Sequence, residues 1–173
     1  ATNAALAPLV PADVVSRLDV GYDASDPASL LDVHRPARPD GVARLPTIVW
    51  VHGGGWVSGS KDQVANYLRI LAGQGFVVVA VDYHLAPRSR YPRPVQEVLS
   101  ALAHLVGHAR ELDLDPSRLV LAGDSAGSTA KTCTPGLRSL STWPTPLMVP
   151  PVPMPATSAS TPPSVSSQIS SAV

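Results

Sequence analysis

The chain has 173 residues and a formal net charge of zero, long enough for one ordinary domain and too short for two of comfortable size. Lys and Arg nowhere form the basic stripe that a nucleic-acid partner requires, so none is expected. The longest apolar runs, such as Phe76 to Val81, fall far short of the roughly 20 residues that cross a bilayer, and no membrane span is expected.

The Ala-rich start, Ala1 to Val10, lacks the basic region and long apolar core of a secretory signal, and a cytoplasmic protein is expected. Val14 to Tyr22 alternates apolar and polar residues as a strand does, and Leu30 to His34 offers a second short strand. Asp23 to Asp26 followed by Pro27 is turn chemistry, which makes the two an antiparallel pair. Arg35 to Pro46 holds three prolines and a glycine and reads as a loop. Thr47 to Val51 is a continuous β-rich apolar run, expected of a strand buried on both faces of a parallel sheet.

Val64, Leu68 and Leu71 fall at helical spacing, with Gly73 and Gly75 closing that helix. Phe76 to Val81 is a second buried strand, Pro92 to Ala109 a longer amphipathic helix, and Leu119 to Ala122, past the break at Pro116, a third buried strand. Strand, helix, strand, helix, strand is the pattern of right-handed crossovers in an α/β sheet.

Past Gly127 this order stops. All 13 acidic residues lie at or before Asp124, and from Ala126 onward there is no Asp, Glu or His. Pro, Ser and Thr abound there, a composition that neither completes a hydrogen-bond ladder nor buries much apolar surface. Residues 135–173 are expected to be a disordered low-complexity tail, either a mucin-like or linker tail native to the protein or a frameshift product. Cys133, the single cysteine, excludes an intramolecular disulfide and a thiolate zinc cluster.

Two loops carry the chemistry. Gly123-Asp124-Ser125-Ala126-Gly127 fits G-x-S-x-G directly after a buried strand, where a helix should begin. A tight strand-to-helix turn strains the serine backbone and exposes its hydroxyl above the sheet; the competing reading is a Gly-rich turn with an incidental serine. His52-Gly53-Gly54-Gly55-Trp56 follows the first buried strand at the same end of the sheet. Three consecutive glycines let backbone N–H groups approach a substrate unobstructed, and with the N–H of Ala126 they can receive a developing oxyanion. A phosphate loop is disfavoured because Gly59-Ser60-Lys61 lacks the Gly-Lys-Ser/Thr order.

His52 to Trp56 and Gly123 to Gly127, with Asp82-Tyr83-His84-Leu85-Ala86-Pro87 and Tyr91-Pro92 between them, resemble the hormone-sensitive-lipase-like branch of the α/β-hydrolases over roughly Val14 to Ser128. The resemblance implies a mostly parallel sheet with flanking helices over residues 1–134, an incomplete α/β-hydrolase domain. It implies Ser125 as nucleophile and Gly54, Gly55 and Ala126 as oxyanion hole, supported by His52, Gly53, Trp56, Gly123, Asp124 and Gly127. It further implies small acyl esters as substrates, with no cofactor and no metal. His84 and Arg88 depart from it, standing where the family has a basic and an acidic residue respectively.

The family places its acid and then its histidine after the nucleophile, and this sequence offers neither. His52 is occupied in the glycine loop, His34 belongs to an early strand and His84 follows the second buried strand. His104 and His108 are spaced i, i+4 on one helix, with no Glu between them to act as a base. Asp124 is assigned to the turn itself. The abrupt loss of pattern reads as a truncated or frame-shifted esterase. Three outcomes stay open: an impaired carboxylesterase, a catalytically silent small-ligand binding module, and a fragment that does not fold.

Overall fold

The computed structural model describes residues 2–38 and 43–129, so the expected tail and Cys133 lie outside the described residues. In chain order the elements are α1 (Thr2–Ala5), β1 (Val14–Gly21), β2 (Leu30–Pro36), β3 (Leu45–Val51), α2 (Ala65–Ala72), β4 (Val77–Val81), α3 (Arg93–Gly107), β5 (Leu114–Gly123) and α4 (Ala126–Thr129). One mixed five-stranded sheet runs β1-β2-β4-β3-β5. β1 and β2 pair antiparallel, as the turn at Asp23 to Pro27 predicts, and β2 meets β4 antiparallel. β4, β3 and β5 are parallel. The sheet is therefore mixed, with its parallel part confined to the three strands read as buried on both faces.

Strand alternation divides the core between two helices. Val49, Val51, Val77, Val79 and Val81 face α3, where Val98, Ala101, Leu102 and Leu105 pack on them. Ile48, Trp50, Val78 and Ala80 face the opposite way, onto Leu68 and Ala72 of α2. All five residues of β4 are buried, which accounts for its lack of polar alternation. The chain passes from β3 through α2 to β4, then back through α3 to β5 on the other side of β3. That reversal opens a crevice at the carboxyl ends of the parallel strands, where ligands of such sheets bind.

Two strands run longer than the apolar pattern indicates. Leu45 and Pro46, read as loop, begin β3, and Pro46 is tolerated because the register with β5 is irregular between Leu45 and Thr47. The same irregularity admits Pro116 into β5. Leu114 pairs with Leu45 and Leu119 with Thr47, so residues 115–118 stand outside the ladder where no N–H is needed. Asp115 Oδ1 closes that bulge by accepting the Ser117 N–H at 2.9 Å and its hydroxyl at 2.6 Å. The other end of the described loop is also tied down: the Ala37 N–H donates to Asp13 O at 2.6 Å, prolonging the β1–β2 pairing through Pro36.

Candidate functional site

β5 ends at Gly123 and α4 begins at Ala126, leaving Asp124 and Ser125 to make the whole turn. The turn closes with the Gly127 N–H on Asp124 O at 2.9 Å and the Ser128 N–H on Ser125 O at 3.1 Å. Ser125 takes a φ of 47° and is exposed, in the left-handed region that disfavours side chains by roughly 1–2 kcal/mol. Gly127 lies so close to β3 that a Cβ there would collide with the carbonyls of Val51 and His52. The elbow thus rests against the start of the glycine loop.

In that loop Gly54 has φ 118° and Gly55 φ 64°, conformations open to glycine and strained for other residues. The carbonyl of Gly54 is turned inward, accepting from the N–H groups of Val57 at 3.2 Å and Ser58 at 3.1 Å and from Ser58 Oγ at 3.0 Å. A trans peptide holds its C=O and N–H on opposite sides, so the Gly55 N–H points away from those groups. The Gly53 carbonyl is likewise held, 2.7 Å from His52 Nδ1. Among the described residues the N–H groups of Gly54, Gly55 and Ala126 have no acceptor.

A carboxylate joins the two loops. Asp124 Oδ1 accepts the Gly53 N–H and the Trp50 Nε1–H, each at 3.1 Å. Sequence reasoning assigns Asp124 only to its own turn; the partners sit 71 and 74 residues away, and the parallel β3–β5 pairing is what brings them within reach.

His52 is buried, with its ring stacked on Tyr83 at 4.3 Å and 10° between planes. Its Nε2 lies 3.5 Å from Asp82 Oδ1, and the Tyr83 hydroxyl donates to its carbonyl at 2.8 Å. Burial pushes the Asp82 carboxyl above its usual range and the Tyr83 hydroxyl up to about 12. Asp82 Oδ1 also accepts the Lys61 N–H at 2.7 Å. The Trp56 ring lies 5.0 Å from that of Tyr83, and the Trp56 carbonyl accepts the Ala86 N–H at 2.8 Å. Tyr83 and Asp82 therefore brace the glycine loop, a role their place in the sequence motif does not disclose.

None of the five histidines partners Ser125 among the described residues. His34 is fully buried in β2 with Nδ1 2.8 Å from Ser16 Oγ. His84 Nδ1 lies 2.9 Å from Glu97 Oε1, and the His104 and His108 rings stack on each other at 4.0 Å. Lys61, considered above for phosphate, is buried with its ammonium 2.8 Å from Asp19 and 3.0 Å from Asp32. It is committed to tying the β1–β2 hairpin to the segment after the glycine loop.

Asp26, His84 and Glu97 bring ligand atoms within 4.8 Å of one another, a grouping assembled from a turn, a loop and α3. The Arg93 guanidinium bridges its two carboxylates, with Nε 2.6 Å from Glu97 and Nη2 3.1 Å from Asp26.

Comparison with known proteins agrees with this architecture. The model of the alpha/beta hydrolase fold matches residues 48–165. The chain is 38% identical over 120 residues to carboxylesterase NlhH of Mycobacterium tuberculosis, covering 69% of this chain and 37% of that protein. It is 36% identical over 83 residues to the acetyl esterase of Salmonella paratyphi B, covering 47% of this chain and 26% of that one. Among solved structures it superposes on esterase B of Lactobacillus rhamnosis with a TM-score of 0.65 and 32% identity, over 73% of this chain and 41% of that one. Propionate-bound Est2 of Thermogutta terrifontis superposes with a TM-score of 0.59 and 31% identity, over 71% and 45%. The chain spans less than half the length of each of these relatives. It belongs to the alpha/beta hydrolase fold family, within the hormone-sensitive-lipase-like esterase branch.

Proposed function

We propose that this chain carries the nucleophile and oxyanion hole of a serine carboxylesterase acting on small acyl esters. Ser125 Oγ attacks the ester carbonyl, and the N–H groups of Gly54, Gly55 and Ala126 receive the negative oxygen of the tetrahedral adduct. The adduct collapses with loss of the alcohol, leaving an acyl ester on Ser125 that water hydrolyses to the acid. The carrying observation is the set of three backbone donors without acceptors on the two loops that Asp124 joins. In such sites one oxyanion donor is worth roughly 2.7–4 kcal/mol in the transition state. The names of the relatives, carboxylesterase and acetyl esterase, support the ester class.

Among the described residues no histidine lies beside Ser125, and in this chain the proton of its hydroxyl passes to solvent. Oxyanion stabilisation and binding alone leave about 10³–10⁴-fold acceleration over water. A serine with no histidine beside it among the described residues favours a second reading, a module that binds small ligands without turning them over. Hydrolysis of p-nitrophenyl acetate by the full chain and by Ser125→Ala separates them. The esterase reading expects slow hydrolysis that the substitution removes; equal rates in the two proteins would overturn it.

A further inference from the structure

The wall of the glycine loop opens into a cavity of about 240 Å³ lined by Trp56, Ala86, Ser89, Tyr91, Pro94 and Val95, with Arg90 also on its wall. Trp56 directly follows Gly55, whose N–H is one of the three free donors. Its backbone sits at φ 65°, its carbonyl is fastened to Ala86 and its ring is braced on Tyr83. The cavity wall is therefore one peptide bond from the oxyanion loop and is held in place. Both loops that form it leave the carboxyl ends of β3 and β4, in the crevice where the sheet reverses.

Two polar groups interrupt the apolar lining. Ser89 is 8% exposed and its buried hydroxyl has no partner, an arrangement that carries a cost unless a ligand or water completes it. Arg90 is exposed and forms no ion pair among the described residues, whereas nearby Arg93 is paired twice. A guanidinium only donates and a hydroxyl can donate, so a ligand oxygen that accepts suits both. The volume lies below the roughly 300–1,000 Å³ of sites that enclose drug-sized ligands, which excludes a long acyl chain and admits one ring or a short aliphatic group. Tyr91, 81% exposed beside it, offers a further aromatic surface.

We propose that this cavity seats the non-reacting arm of the ester: a short aliphatic group or single aromatic ring ending in a carboxylate, whose oxygens accept from Ser89 and Arg90. The assignment rests on the reading of Ser125 as nucleophile, and the experiment keeps the two apart.

Phenylacetate and its neutral isostere phenylacetamide are titrated onto the full chain by ligand-observed NMR. Phenylacetate is expected to bind saturably and the amide about fivefold more weakly, the difference expected of one partly screened charge-assisted hydrogen bond. Arg90→Gln should abolish that difference, and Ser89→Ala should weaken both ligands by about fivefold. Val95→Trp, which fills the cavity, should weaken both at least about tenfold; should it fail to fold, the two polar substitutions still decide. Absence of saturable binding, or affinities unchanged in both Ser89→Ala and Arg90→Gln, would overturn the proposal.

A fluorophosphonate serine probe supplies the second arm. Phenylacetate should slow its reaction at Ser125. Labelling at Ser125 that phenylacetate does not slow overturns the placement of the arm while leaving the nucleophile standing. Saturable phenylacetate binding without any labelling contradicts the nucleophile and supports the cavity's ligand class.

Discussion

The carboxylate of Asp124 holds the N–H of Gly53 at 3.1 Å across 71 residues of sequence, and with its second bond to Trp50 it fixes the elbow of β5 against the glycine loop of β3. Removing it should loosen both loops at once. Asp124→Ala is expected to cost about 1–2 kcal/mol, the range of charge-assisted bonds at a partly exposed site. Asp124→Asn keeps an oxygen that can accept both bonds and should lose less than half as much. Thermal melts of the two variants check this; equal losses would show that the acceptor geometry is not what matters.

Ser125 stores backbone strain in the same turn, with φ at 47°. Glycine adopts that conformation freely, at the cost of greater freedom in the unfolded chain. Ser125→Gly should therefore be roughly 0.5–1 kcal/mol more stable than the parent, a rise of a few degrees in Tm, while losing all serine-dependent hydrolysis. A lower Tm would mean that the serine side chain stabilises the turn more than its backbone strains it.

Much of this arrangement is legible in the sequence. The valines of β4 and the run Thr47 to Val51 announce strands buried on both faces because a parallel strand covered by α2 and α3 has no polar side to show. The pentapeptide at Gly123 and the three glycines after His52 announce their loops because only small residues fit where Gly127 meets the Val51 carbonyl. Pro46 and Pro116 misdirect the strand limits, since a proline in a register irregularity looks the same in sequence as one that ends a strand. The bond from Asp124 to Gly53, the brace of Tyr83 on His52 and the orphan hydroxyl of Ser89 were not legible. Each depends on the order β4-β3-β5 or on a side chain's surroundings, which local pattern does not encode.

His34 gives the fold a dependence on pH. Burial, aided by the charge of Arg69, lowers its pKa from 6.5 to about 4, against the smaller opposing pull of Asp32. Between those values the unfolded chain binds a proton that the folded chain refuses, so stability falls as pH drops from about 6.5 toward 4 and levels on either side. The loss is at most about 3 kcal/mol. His104, also lowered by burial and by His108 beside it, adds in the same sense, while Asp82, raised by burial, opposes it at the acid end. Denaturant titrations across this range should show the fall, and His34→Asn should flatten it; an unchanged slope in that variant would assign the dependence elsewhere.

The most direct test of the central claim is to react the full chain with p-nitrophenyl acetate and locate the acetyl group by peptide mass spectrometry. The account predicts acetyl on Ser125, absent in Ser125→Ala. It also predicts faster acetylation of Ser125→Cys in a Cys133→Ser background, because a few per cent of a cysteine is thiolate at neutral pH and attacks without a neighbouring base. Acetyl found only on Lys61, Lys131 or the terminal amine, with Ser125 unmodified, and no gain with cysteine at 125, would contradict it.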